Sequence, residues 1–127
     1  MRALVTGAAS GLGAALTRAL RERGDEVLAT DLAAGEGIDL SLDITSDAHW
    51  AGAVAAVRQR WDGLDLLDNN AGIAGGGRID VCTMDEWHRL TEVNLFGAVR
   101  GVRAFTPMLK EQGSGHVLNV ASLAGLV

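Results

Sequence analysis

Thr6-Gly7-Ala8-Ala9-Ser10-Gly11-Leu12-Gly13 is the stretch around which this 127-residue chain is organised. It follows the apolar run Ala3-Leu4-Val5 and opens onto Leu12, Ala15, Leu16, Ala19 and Leu20, which recur at helical spacing. A strand, a glycine turn and a helix start, in that order, make a place to hold a phosphate. The first N–H groups of a helix lack intrahelical partners, and the helix dipole adds positive potential there. Glycines let the backbone turn sharply and let a pyrophosphate approach without meeting a Cβ. An ordinary strand-to-helix turn would look similar in a chain with 17 glycines, so the rest of the sequence has to discriminate.

Working outward, strand and helix signals alternate. A helix runs to about Arg23 and stops at Gly24, and Glu26 to Thr30 reads as a buried strand ending in Asp31. A third strand is expected around Ile38 to Leu42, ending at Asp43-Ile44. Thr45 or Ser46 then caps a helix whose Trp50, Ala53, Val54, Val57 and Trp61 share one face. Asp62-Gly63 breaks that helix, and Leu64 to Leu67 reads as a fourth strand running into Asp68-Asn69-Asn70-Ala71-Gly72. After the loop Gly75 to Gly77, Thr83 and Glu86 form a capping box for a long helix that Pro107 should kink or end. His116 to Val120 is a fifth strand, ending at Ala121-Ser122.

This alternation predicts an α/β fold, a doubly wound parallel sheet of about five strands with helices on both faces. In such sheets ligands bind beyond the carboxyl ends of the strands. Those ends here carry Thr6-Gly7, Asp31, Asp43-Ile44, Asn69-Asn70 and Ser122.

Composition narrows the function. A hydrophobic share of 48% with 21% charged residues is that of a globular protein, and the size allows one domain, residues 1–127. A net charge of −5 argues against a nucleic-acid binder. No apolar run approaches the ~18 residues of a membrane span. The first strand begins almost at Met1, so a cytoplasmic protein without a leader is expected. The lone Cys82 argues against an internal disulfide and a zinc site, and the scattered His49, His88 and His116 lack ligand spacing, so no metal is expected. The turn lacks the lysine of an ATP-binding P-loop, and Ser122 lacks the glycine frame of an esterase nucleophile.

These motifs together resemble the short-chain dehydrogenase/reductase family. Thr6-Gly7-x-x-x-Gly11-x-Gly13 is similar to its glycine signature, Asp43-Ile44 to its adenine-contacting pair, and Asn69-Asn70-Ala71-Gly72 to its Asn-Asn-Ala-Gly segment. Asn94 is similar to its helix asparagine and Ser122 to its active-site serine. The resemblance implies a Rossmann-like sheet in the order 3-2-1-4-5. It also implies an oxidoreductase moving hydride between a nicotinamide cofactor and a small alcohol or ketone, in a homo-oligomer when full-length.

The cofactor would rest on Thr6, Gly7, Ser10, Gly11, Leu12, Gly13, Asp31, Asp43, Ile44, Asn70, Ala71 and Gly72, with Ser122 and Asn94 serving catalysis. Asp31 can accept from both ribose hydroxyls and would repel a 2′-phosphate. With no basic residue at Ser10, Leu32 or Ala33, NAD is expected over NADP.

Two departures qualify the resemblance. The family's proton donor is a tyrosine in Tyr-x-x-x-Lys beyond the serine, whereas this chain has no tyrosine and its single lysine, Lys110, precedes the fifth strand. The expectation is a chain cut short before that motif and the C-terminal elements, with low or no turnover and exposed apolar surface on the last strand and long helix. A non-catalytic NAD-binding or protein-interaction module is the alternative. The second departure is Asp68, where the family usually has valine. It faces either the packed side of the sheet, at a large desolvation cost, or the cofactor crevice.

Overall fold

The computed structural model describes residues 1–126. Its strands are β1 (Arg2–Thr6), β2 (Glu26–Asp31), β3 (Leu40–Ser41), β4 (Leu66–Asn69) and β5 (His116–Asn119). They form one parallel sheet in the order β3-β2-β1-β4-β5, as the resemblance implies. The helices are α1 (Gly11–Glu22), α2 (Asp47–Trp61), α3 (Met84–Thr91) and α4 (Gly97–Gln112). A π-helical turn, Glu92–Phe96, joins the last two. Ser122 caps a 3₁₀ turn at Leu123–Gly125, its Oγ accepting from the Ala124 N–H at 3.1 Å. No helix among the described residues is long and apolar enough to cross a membrane.

The sheet separates two apolar layers. On one face Leu4, Leu28 and Leu67 pack under α2 and α4, where Trp50 meets Phe105 edge-on with ring centroids 6.3 Å apart. On the other, Ala3, Val5, Val27 and Ala29 pack under α1 through Leu20. Every residue of β5 is exposed.

Three local expectations are corrected. The fourth strand lies two residues later than read, because Leu64 leaves the ladder: its N–H and C=O pair with the Gln112 amide, both at 2.7 Å. The third strand shrinks to two residues, its chain entering through a turn in which the Ile38 N–H donates to the Gly35 carbonyl. Pro107 does not end the long helix, which continues to Gln112 and closes on Gly113 at φ 70°. Phe105 and Met108, both fully buried, anchor the helix on either side of the proline. That burial offsets the roughly 3 kcal/mol that an internal proline costs.

The capping box is half formed. Thr83 Oγ1 accepts from the Glu86 N–H at 3.2 Å, but Glu86 turns its carboxylate away to accept from the Gly76 N–H at 2.9 Å.

Candidate functional site

Around the carboxyl ends of β1, β2 and β4 lies a cavity of about 530 Å³. Its floor is the glycine turn, held from below by one hydroxyl. Thr6 Oγ1 donates to the Asp68 carbonyl and accepts from the N–H groups of Asn70 and Ala71, each at 3.0 Å. The Asn70 amide then donates to the Thr6 carbonyl at 2.9 Å and, more weakly, to the Gly7 carbonyl at 3.4 Å. Thr6 is therefore a buried brace behind the cavity, and Asn70 spends part of its side chain on the same bracing.

The glycines have separable tasks. A Cβ on Gly13 would collide with the Gly7 carbonyl oxygen and lie 2.5 Å from Asn70 Nδ2, so Gly13 lets α1 sit directly on the turn. Gly11, by contrast, has φ 54° and nothing within 4 Å of where its Cβ would be. Open space over a positive-φ glycine at a helix N-terminus is what a diphosphate requires. The residues present thus fit a dinucleotide.

Asp31 is aimed by two backbone donors, the Ala9 N–H at 3.0 Å and the Leu32 N–H at 2.7 Å. Both carboxylate oxygens keep lone pairs for a diol. Asp43 Oδ1 accepts from the Thr45 hydroxyl at 2.7 Å and the Thr45 N–H at 2.9 Å, which hold its carboxyl below the ordinary range. Ser46, rather than Asp43 or Thr45, caps α2. Ile44 forms an apolar wall, seated against α4 where a Cβ on Gly97 would lie 2.5 Å from Ile44 Cδ1.

The cavity brings together Gly7, Ser10, Gly11 and Leu12 of the turn with Asp31, Asp43 and Ile44. Asn70, Ala71 and Gly72 close its other side. Thr6 and Gly13 lie behind it, and neither Asn94 nor Ser122 is on its wall. Asn94 sits inside the π turn and clasps the backbone of one residue, Ile73. Its Oδ1 accepts from the Ile73 N–H at 2.8 Å while its Nδ2 donates to the Ile73 carbonyl at 2.9 Å. Asn69 ties β4 to its neighbours through Asn119 Oδ1 at 2.9 Å and the Ala98 carbonyl at 3.4 Å.

The sequence reading missed Arg89 and Val93, which line the cavity from α3 and the π turn. Their four-residue spacing was the available signal. Among the described residues no His, Cys, Asp and Glu cluster suits a metal ion.

Asp68 faces the packed side. It pairs in register with Val5 and Leu118, is fully buried, and has no hydrogen-bond partner for either carboxylate oxygen. Burial pushes its carboxyl up to about 6.

Residues 1–127 match the family model described as short chain dehydrogenase. The chain is 37% identical to a 3-alpha-(or 20-beta)-hydroxysteroid dehydrogenase of Mycobacterium tuberculosis, over 98% of this chain and 52% of that protein. It is 36% identical to a trans-4-hydroxycyclohexanecarboxylate dehydrogenase of Sinomonas cyclohexanicum, over 98% and 56%. A short-chain dehydrogenase structure from Streptomyces avermitilis superposes with a TM-score of 0.92 at 35% identity, covering 99% of this chain and 51% of that one. The chain thus spans about half the length of the curated relatives it matches. With this sheet order, this glycine turn and these relatives, the chain belongs to the short-chain dehydrogenase family.

Proposed function

We propose that this chain is the cofactor-binding part of an NAD-dependent dehydrogenase, a single Rossmann unit acting on a small alcohol or carbonyl compound. The carrying observation is Asp31. Its carboxylate is fixed at the cavity wall by the Ala9 and Leu32 N–H groups, and its neighbours Ser10 and Leu32 on that wall are uncharged. A carboxylate so placed accepts two ribose hydroxyls and repels a 2′-phosphate. Nicotinamide, when bound, supplies the hydride acceptor and donor. The glycine turn holds the diphosphate, Asp43 and Ile44 receive the adenine, and Asn70 with the Ala71-Gly72 backbone approaches the ribose. Ser122 polarises the substrate oxygen. Asn94, after bonding Ile73, retains one Nδ2 hydrogen and one Oδ1 lone pair to hold a relaying water.

Calorimetric titration with NAD and NADP tests the assignment. Wild type is expected to prefer NAD and Asp31→Ala to lose that preference; an unchanged ratio would overturn it. A non-catalytic NAD-binding module is the second reading, which a chain without tyrosine allows. A positioned acid–base group is worth ~10²–10⁴ in rate. The 127-residue polypeptide is therefore expected to give little or no NADH from a panel of alcohols, and steady production would refute that.

A further inference from the structure

The cavity has two acidic side chains on its wall, Asp31 and Asp43, and one cationic one, Arg89. The Arg89 guanidinium, like those of Arg18, Arg60 and Arg103, forms no ion pair and no hydrogen bond among the described residues, but of these four only Arg89 lines the cavity. Its neighbour one turn on is Val93, and Val93 is followed four residues later by Gly97, the residue Ile44 packs against. Arg89 lines the same cavity as Ile44 and Val93, two apolar side chains that suit the flat face of a base. A guanidinium is planar, weakly hydrated and able to stack on an aromatic ring while its edges stay in water.

Resting on the cofactor reading above, we infer that Arg89 is an adenine-recognition residue, its guanidinium closing over the exposed face of the base once a dinucleotide lies against Ile44 and Val93. Helix α3 brings it there: Thr83 caps the helix, and Glu86 holds the helix to the glycine loop. The residue thus reaches the cavity from outside the glycine turn and the strand ends, which is why no strand-end motif marks it.

The test is calorimetric titration of wild type, Arg89→Ala and Arg89→Lys with NAD, AMP and nicotinamide mononucleotide, and with NADP for comparison. Arg89 is exposed and unpaired, so unchanged thermal unfolding of the variants serves as the folding control. Arg89→Ala is expected to weaken NAD and AMP alike by about fivefold and to leave nicotinamide mononucleotide unaffected. Arg89→Lys, which keeps the charge but loses the plane, is expected to recover less than half of that loss. Wild-type binding with no change for AMP in Arg89→Ala would overturn the inference alone. A loss confined to NADP would also overturn it and make Arg89 a phosphate ligand. Failure of wild type to bind any of the three would overturn the cofactor reading and the inference with it.

Discussion

The residue with the most to say about energetics is Asp68. Gly13 packs on Asn70, and Thr17 lies one helical turn further along α1 while Asp68 lies two residues back along β4. Thr17 Oγ1 is itself buried without a partner. A carboxyl pushed from 3.8 to about 6 binds its proton more tightly folded than unfolded. Its unfavourable charge is absent below pH 4, develops as pH rises through 6, and then costs roughly 3 kcal/mol. Asp65 behaves oppositely: the Arg2 guanidinium holds it down at about 2, and its contribution is lost only as pH falls towards that value. Asp68→Val is therefore expected to gain little at pH 4 and roughly 3 kcal/mol more by pH 7, read from urea unfolding across that range. A gain independent of pH would show that the carboxylate is not the cause. The position was legible as a departure, but its facing was not, because adjacent strand residues alternate and the register settles only in the sheet. Asp31 and Asp43 were readable as cavity-wall residues because each stands at or just after a strand end, whereas Thr6, expected at the cofactor, lies behind the wall. Arg89 was not, because a mid-helix arginine reads as a solvated face.

At the scale of elements, α3 and the π turn act as a clip on the loop that follows β4. Glu86, Leu90 and Asn94 stand at four-residue steps and meet Gly76, Gly75 and Ile73 respectively. A Cβ on Gly75 would lie 2.9 Å from Leu90 Cδ2, so glycine there permits the contact. Glu86→Ala and Asn94→Ala are each expected to release about 1 kcal/mol of loop protection, with faster amide exchange at Gly76 and Ile73 respectively. Exchange rates matching wild type would mean that the clip does not hold the loop. The start of this helix could be read from Thr83, yet the partner of Glu86 could not, since both the box and the clip need only the same spacing. Neither could the π turn, whose residues carry the apolar pattern of an ordinary helix. Pro107 misled for the complementary reason: local chain chemistry favours a break, and the burial of Phe105 and Met108 overrides it.

Across the whole molecule, apolar side chains are covered unevenly. The β3 edge and the α2–α4 layer enclose Trp50, Val57 and Phe105, whereas Leu95, Phe96 and Val99 are exposed on the π turn and α4. Beyond them Val117, Leu118 and Val120 are exposed on and just after the edge strand β5. Apolar residues along an unpaired strand edge invite association. Light scattering is expected to show concentration-dependent association with binding of a hydrophobic dye, both reduced by Leu118→Lys. A dye-silent monomer at all concentrations would contradict this. The five-residue π turn adds a last consequence. Each helical residue rotates the chain by about 100°, so the residue accommodated between α3 and α4 sets their angular phase. Arg89 and Asn94 look towards the cavity and its loop, while Gly97 and Gly101 look towards Ile44 and Trp50. Removing one residue from Glu92–Phe96 would force a choice between those two alignments. The length of the segment is thus fixed by both alignments at once.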